Sequence, residues 1–305
     1  MELRTRLLAM LGVPVLSVLA AVPSVVAQEM QDVQIETVDV APGIYMLMGR
    51  GGNIGVSAGA DGVFLIDDQY APLTEKIVAA VQAISDGPIR FVLNTHWHGD
   101  HTGGNENLGE AGALIVAHDN VRRRMSVEQF IEAFDMKVEP SPAIALPVVT
   151  FSSDVTFHLN GDEIHAFHVE NAHTDGDVVI HFRNANVVHA GDTYFNGFYP
   201  FIDVSAGGSI DGTIAATEKV LEIVGDETRI IPGHGPLSDK AELQEYLEML
   251  VGVRAAIAEQ IAMGKSREEV IAAKPTAQWD EKWGQAFLNP ETFMGIVYSD
   301  LSRKD

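Results

Sequence analysis

The segment Thr95-His96-Trp97-His98-Gly99-Asp100-His101 limits what this chain can fold into more than any other. It sets three histidines and an aspartate within six residues, directly after the apolar run Ile89–Leu93. That run reads as a buried strand, so the histidines fall on a loop at its end. Imidazole nitrogen and carboxylate oxygen are donors that zinc accepts. His96 and His98 are two apart, so in an extended segment they point the same way. Gly99 lets the chain turn, and Asp100 and His101 can then face a second point nearby. The competing reading is a surface loop in which Asp100 caps the turn begun by Gly103-Gly104. Three histidines and an aspartate at this spacing favour a metal site.

The rest of the chain supplies a framework for that loop. Gly43–Met48, Asn53–Ala58 and Gly62–Asp67 are short apolar runs separated by glycine punctuation, which predicts a β-meander. Pro72 opens a helix whose apolar positions Leu73, Ile77, Val78, Val81 and Ile84 keep helical spacing. Strands and helices then alternate to about Met136. Further strands are expected at Leu146–Phe151, Val155–Leu159, Glu163–Val169, Asp177–Phe182 and Ala185–His189. A helix follows at Ile210–Val224, then a strand at Arg229–Ile231. The tail beyond Asp239 reads as helical, with one long segment through Met263. Strands followed by helices, twice over, predict two sheets packed face to face with helices outside: an α/β (α+β) αββα sandwich. No linker separates the halves. One domain over residues 28–238 is expected, with a helical extension over 239–305 packed on it.

The pattern His96, His98, Asp100, His101 resembles the signature of the metallo-β-lactamase superfamily. That family places further residues along a chain, and this sequence carries them in order. His173 stands in Asn171-Ala172-His173-Thr174-Asp175-Gly176-Asp177. Asp192 stands in His189-Ala190-Gly191-Asp192-Thr193. His234 stands in Pro232-Gly233-His234-Gly235, and Asp67 ends the run Leu65-Ile66-Asp67. Together they span roughly Gly43 to Pro236. The resemblance implies that His96, His98 and His173 hold one zinc, that Asp100, His101 and His234 hold a second, and that Asp192 bridges them. Iron or manganese would suit the same donors. Asp67 would accept the proton of a ligand imidazole and fix its tautomer; a strand-end turn is its plainer role. The implied chemistry is attack of a metal-bridging hydroxide on a carbonyl, with Asp100 orienting the nucleophile.

Trp97, Tyr194, Phe195, Phe198, Tyr199 and Phe201 lie beside these motifs, and Trp97, Tyr194, Phe195 and Phe198 are expected to form a pocket wall; core packing is the alternative. His118, His158, His165, His168, His181 and His189 fall outside the motifs and are read as packing or hydrogen-bonding residues, with His118 the exception that would approach the pocket. Compared with well-known family members, the lactamase subclass with cysteine on the second zinc carries a lysine three residues later. Here those positions are Asp192 and Phe195. Flavin-partnered diiron members carry glutamate where this chain has His98, which argues against an iron-loaded oxidoreductase. A non-catalytic scaffold would lack a ligand, and none is lacking. A small-molecule carbonyl substrate follows, with a β-lactam-type cyclic amide first and a glyoxalase II-like thioesterase or lactonase second. Basic residues that could grip a glutathione-like substrate are sparse in the tail: Lys240, Arg254, Lys265 and Arg267.

Composition narrows the setting. Arg4 and Arg6 precede an apolar run from Leu7 to Val22, and small residues end at Ala27. This is the layout of a secretory signal peptide over residues 1–27, so periplasmic or secreted export is expected, with a retained anchor as the alternative. The chain has no cysteine, which removes thiolate ligands, thiolate nucleophiles and disulfides. Its formal charge is −23, or −24 without Glu2, Arg4 and Arg6. Such a surface repels a phosphate backbone, which excludes nucleic acid as a natural partner.

Overall fold

A computed structural model describes residues 30–303; the expected signal segment therefore lies outside the described residues. The first sheet is built from β1 (Glu36–Ala41), β2 (Ile44–Met48), β3 (Ile54–Gly59), β4 (Gly62–Ile66), β5 (Ile89–Leu93) and β6 (Leu114–His118). A separate hairpin of β7 (Gln129–Ile131) and β8 (Met136–Val138) precedes β9 (Val149–Phe151), which closes that sheet beside β6. The second sheet runs in order β10 (Asp154–Leu159), β11 (Asp162–His168), β12 (Val178–Phe182), β13 (Val187–Phe195) and β14 (Arg229–His234). Pairing is antiparallel from β1 to β4 and parallel from β4 through β5 and β6 to β9.

Burial explains why these runs pair as they do. In β4, Phe64 and Ile66 face the second sheet, while Val63 and Leu65 face outward beneath a helix. Both faces are covered, so the strand reads as a continuous apolar run, as parallel-sheet strands do. Between the sheets, Met46, Phe64, Leu93 and Val116 meet Ile164, Ile180, Phe182 and Ile231. Helix α1 (Thr74–Ile84) covers the first sheet through Ile77 and Val81. The second sheet is covered by helices at Ile210–Ile223, Lys240–Ala262 and Pro290–Leu301. Leu243, Tyr246, Leu250, Phe293 and Val297 from the tail share one buried cluster with Val179, Val188 and Ile230 of that sheet. Helix, sheet, sheet and helix therefore stack as the expected αββα sandwich. Among the described residues no helix is long and apolar enough to cross a membrane.

Three local departures from the sequence reading have physical causes. The expected strand over 146–151 begins only at Val149, after a 3-10 turn at Ala143–Ala145. Pro147 has no N–H to give a ladder. The expected strand over 185–189 extends to Phe195, because the carboxyl half of β13 pairs with β14 through two register shifts around Gly191. Asp192 thus lies inside a bulged strand rather than after one. The hairpin β7–β8 was not expected; its strands are too short for a period to show.

Candidate metal centre

The residues singled out from the sequence converge at the ends of strands from both sheets. The loop after β5 carries His96, His98, Asp100 and His101; the loop after β11 carries His173; β13 carries Asp192; β14 ends at His234. Their side-chain atoms form three mutually close groups: His96, His98 and His173; His96, His101 and Asp192; and Asp100, His101 and His234. Asp192 sits among them, with Oδ1 3.1 Å from His101 Nε2 and Oδ2 3.6 Å from His173 Nε2 and 3.4 Å from His234 Nε2.

Hydrogen bonds from behind fix which ring nitrogen of each histidine is free. His101 Nδ1 donates to Asp67 Oδ2 at 2.8 Å, so its Nε2 carries a lone pair. Asp67 also accepts from the Thr95 N–H and hydroxyl, both at 2.7 Å. Because that hydroxyl is donating, it accepts from His96 Nδ1 at 3.0 Å, which leaves a lone pair on His96 Nε2. His98 Nε2 donates to Asp203 Oδ2 at 3.0 Å, and His173 Nδ1 donates to the Phe201 carbonyl at 2.7 Å. The inward nitrogens His98 Nδ1 and His173 Nε2 then face one another at 2.8 Å, both as acceptors. His96 Nε2 and Asp192 Oδ1 are buried without any hydrogen-bond partner. Facing lone pairs and orphaned buried acceptors at one point are costly unless a cation lies among them. The donor set of imidazoles and carboxylates fits divalent zinc, and it accommodates iron or manganese.

The electrostatics agree. Burial pushes His96 well down and His173 to about 4, so both are neutral ligands at pH 7. Burial also acts downward on His101 and His234, but Asp192 and Asp100 outweigh it. With no cation, they hold His101 well above the usual imidazole range and His234 at about 9. Burial acts upward on Asp100 and Asp192, yet the neighbouring imidazoles keep both below the usual carboxylate range. The cluster attracts positive charge. Two glycines make room for it. A Cβ on Gly52 would lie 2.0 Å from the His101 ring, and one on Gly233 would lie 2.1 Å from Asp192 Oδ1.

Residues 48–237 match the family model described as the metallo-β-lactamase superfamily. The chain belongs to the metallo-β-lactamase superfamily. A β-lactamase-like protein 2 homolog from Caenorhabditis elegans is 25% identical over 78% of this chain and 72% of its own. A hydroxyacylglutathione hydrolase from Erythrobacter litoralis is 28% identical, but the match spans only 35% of each chain. Among solved structures, a metallo-β-lactamase from Pontibacter korlensis superposes with a TM-score of 0.58 at 20% identity, covering 72% of this chain and 99% of that one. At that identity the likeness shows the fold alone.

The aromatic residues divide. Phe195 pairs across from His234 in register, and their rings stack at 5.0 Å and 18°. Trp97 packs on the His98 ring at 4.6 Å, and Phe201 lies 5.7 Å from His98 and 5.5 Å from His173. Phe198 is half-buried against Phe195. Tyr194, expected in a pocket wall, is instead core. It is fully buried, its hydroxyl pairs with Ser238 Oγ at 2.7 Å and its ring packs on Tyr246. Alternation sets it opposite Phe195, and the irregular register between Gly191 and Phe195 turns it away from Asp192 as well, toward the tail helices. Tyr199 likewise stacks on Phe293. His118, the histidine expected to approach the pocket, stacks on His168 at 3.9 Å and pairs with the Ser152 carbonyl. His189 is buried against the Asn53 carbonyl, in keeping with a packing role.

Sequence reasoning missed Asp203. It caps the 3-10 turn Val204–Ala206, and its side chain holds His98 from a position 105 residues away. The cap was legible in Asp203-Val204-Ser205-Ala206; the partner was not. Asp203→Ala is expected to free the His98 ring and lower metal affinity roughly 10–100-fold. Competition with a chelating dye measures this, and an unchanged affinity would show that packing alone orients His98.

Proposed function

We propose that the chain is a metal-dependent hydrolase whose centre holds two divalent cations, zinc first, and acts on a carbonyl compound. The observation that carries this reading is the wiring of His96, His98, His101 and His173. Each outward N–H is already committed, so each inward nitrogen is a ready ligand beside Asp100 and Asp192. Bound divalent cations supply Lewis acidity to a carbonyl oxygen and acidify water toward neutrality.

The chain's own residues do the rest. Asp100 and His234 are the ligands open to solvent, with side chains 23% and 21% exposed, so the substrate enters on their side. The Asp100 carboxylate, on the open side beside His234, would accept a hydrogen bond from the attacking water and orient it. Phe195 backs the His234 ring and keeps water from its rear face. A strained cyclic amide of the β-lactam type is the first substrate class proposed. A thioester or lactone is the second. It is favoured by Phe195, which offers no cation to a substrate carboxylate, and by the hydroxyacylglutathione hydrolase relative.

One comparison tests both. Purified protein is assayed on a chromogenic cephalosporin, a thioester and a lactone, before and after chelation and zinc return. Turnover of at least one substrate that disappears on chelation and returns with zinc is expected. Cephalosporin turnover above the others supports the first class. Rates on thioester or lactone alone remove it and keep the hydrolase. Chelator-insensitive turnover would sink the metal-dependent reading.

A further inference from the structure

A cavity of about 270 Å³ lies behind the Asp203 turn, away from Asp100 and His234. Two guanidinium groups converge on it from the tail. Arg267 begins the helix Arg267–Ala273, and Arg303 follows the helix Pro290–Leu301. In a chain with 20 basic and 43 acidic residues, two arginines at one cavity need a reason. Arg303 is anchored by donating to the Val204 carbonyl at 2.6 Å. Arg267 makes no hydrogen bond or ion pair among the described residues. Its guanidinium instead lies in a notch made by Gly295, where a Cβ would fall 2.1 Å from Nη2. The hydroxyls of Thr292, Ser299 and Ser205 line the same space.

The carboxylates nearby leave donors of both arginines open: among the described residues, Glu268 and Asp300 feel the charges of Arg267 and Arg303 but make no side-chain hydrogen bond to them. Asp203 has Oδ2 committed to His98, and Oδ1 accepts from Ser205 and from the Ala206 N–H. Glu132 is 69% exposed and 3.9 Å from Arg303, a loose surface pair that water screens. What remains is a planar donor fork with neutral hydroxyls beside it, a set that matches an oxyanion. We infer that this cavity is a second ligand site that takes a small oxyanion, either a phosphate group or a short carboxylate. The site lies on the far side of the His98–Asp203 pair and stands independently of the substrate proposed above.

The test is calorimetric titration of the full chain, zinc-loaded and chelated, with inorganic phosphate and separately with succinate. Saturable binding of at least one is expected, retained after chelation and weakened by added salt. Arg267→Ala should weaken it about tenfold or more, the loss of a charge-assisted contact. Gly295→Ala keeps every charge but fills the notch, and it should weaken binding several-fold by displacing the guanidinium. Arg267 is exposed, and the nearest atoms met by a Cβ on the buried Gly295 are those of its movable guanidinium; an unchanged melting temperature in both variants separates lost binding from misfolding. The tighter of the two anions identifies the source of the oxyanion. Failure of both to saturate overturns the site. So does binding that vanishes on chelation, which would place the anion on the metal centre, or binding unchanged in both variants.

Discussion

Asp192→Ala is expected to leave a folded chain that keeps little bound metal and hydrolyses about a thousandfold more slowly. Asp192 is the one carboxylate close to histidines of all three clustered groups, with Oδ1 buried and unpartnered. Losing it removes the negative charge that offsets any cation there. Lewis-acid stabilisation amounts to several kcal/mol, and about 1.36 kcal/mol is a factor of ten in rate. Metal content by mass spectrometry and turnover on the best substrate read the two effects. Gly233→Ala offers a second route to the same result without removing the carboxylate, since its Cβ would fall 2.1 Å from Asp192 Oδ1. If Asp192→Ala retains full metal and rate, the residue is not at the centre of the chemistry.

The second large effect is expected at Asp67, which touches no proposed cation. Its carboxylate accepts three hydrogen bonds at 2.7–2.8 Å, from the Thr95 N–H and hydroxyl and from His101 Nδ1. All these groups are buried. Asp67→Ala orphans three donors at roughly 1–3 kcal/mol each, so a melting temperature lower by on the order of 10 °C is expected. Asp67→Asn is more telling. The backbone at φ 64° suits asparagine as well as aspartate, so the turn survives. Its amide NH2 would then face the His101 N–H. Relief comes when His101 moves its proton to Nε2, the nitrogen aimed at the cluster. Metal affinity should fall by about 10–100-fold with little loss of apo stability. An Asn variant with wild-type affinity and a shifted melting temperature would mean that Asp67 is only a structural clasp.

The layout of this chain divides according to how far each signal reaches. The strands at 44–48, 54–59, 62–66 and 89–93, and the helix over 210–223, were legible because each is a local apolar pattern bounded by glycine or proline. The donors His96, His98, Asp100 and His101 were legible because a metal loop must carry several donors on little chain, and such density rarely arises otherwise; His173, Asp192 and His234, each isolated in the chain, came only from the resemblance to the family. That they meet was implied by the same resemblance, and no local pattern shows it, since it depends on two sheets closing on each other.

What only the tertiary structure decided concerns partners distant in sequence and faces of a single strand. Asp203 and His98 are 105 residues apart, and no periodicity joins them. Arg267 reads as an isolated tail residue until α-helix packing sets Arg303 beside it. Tyr194 and Phe195 are adjacent and both aromatic, yet one packs under the tail helices and the other stacks on His234. A strand sends neighbours to opposite faces, and the bulge at Gly191 sets which face each receives. Spacing and apolar pattern determined the four donors of the first loop and the layers; the register of β13 against β14, and the docking of the tail on that sheet, decided what stands around them.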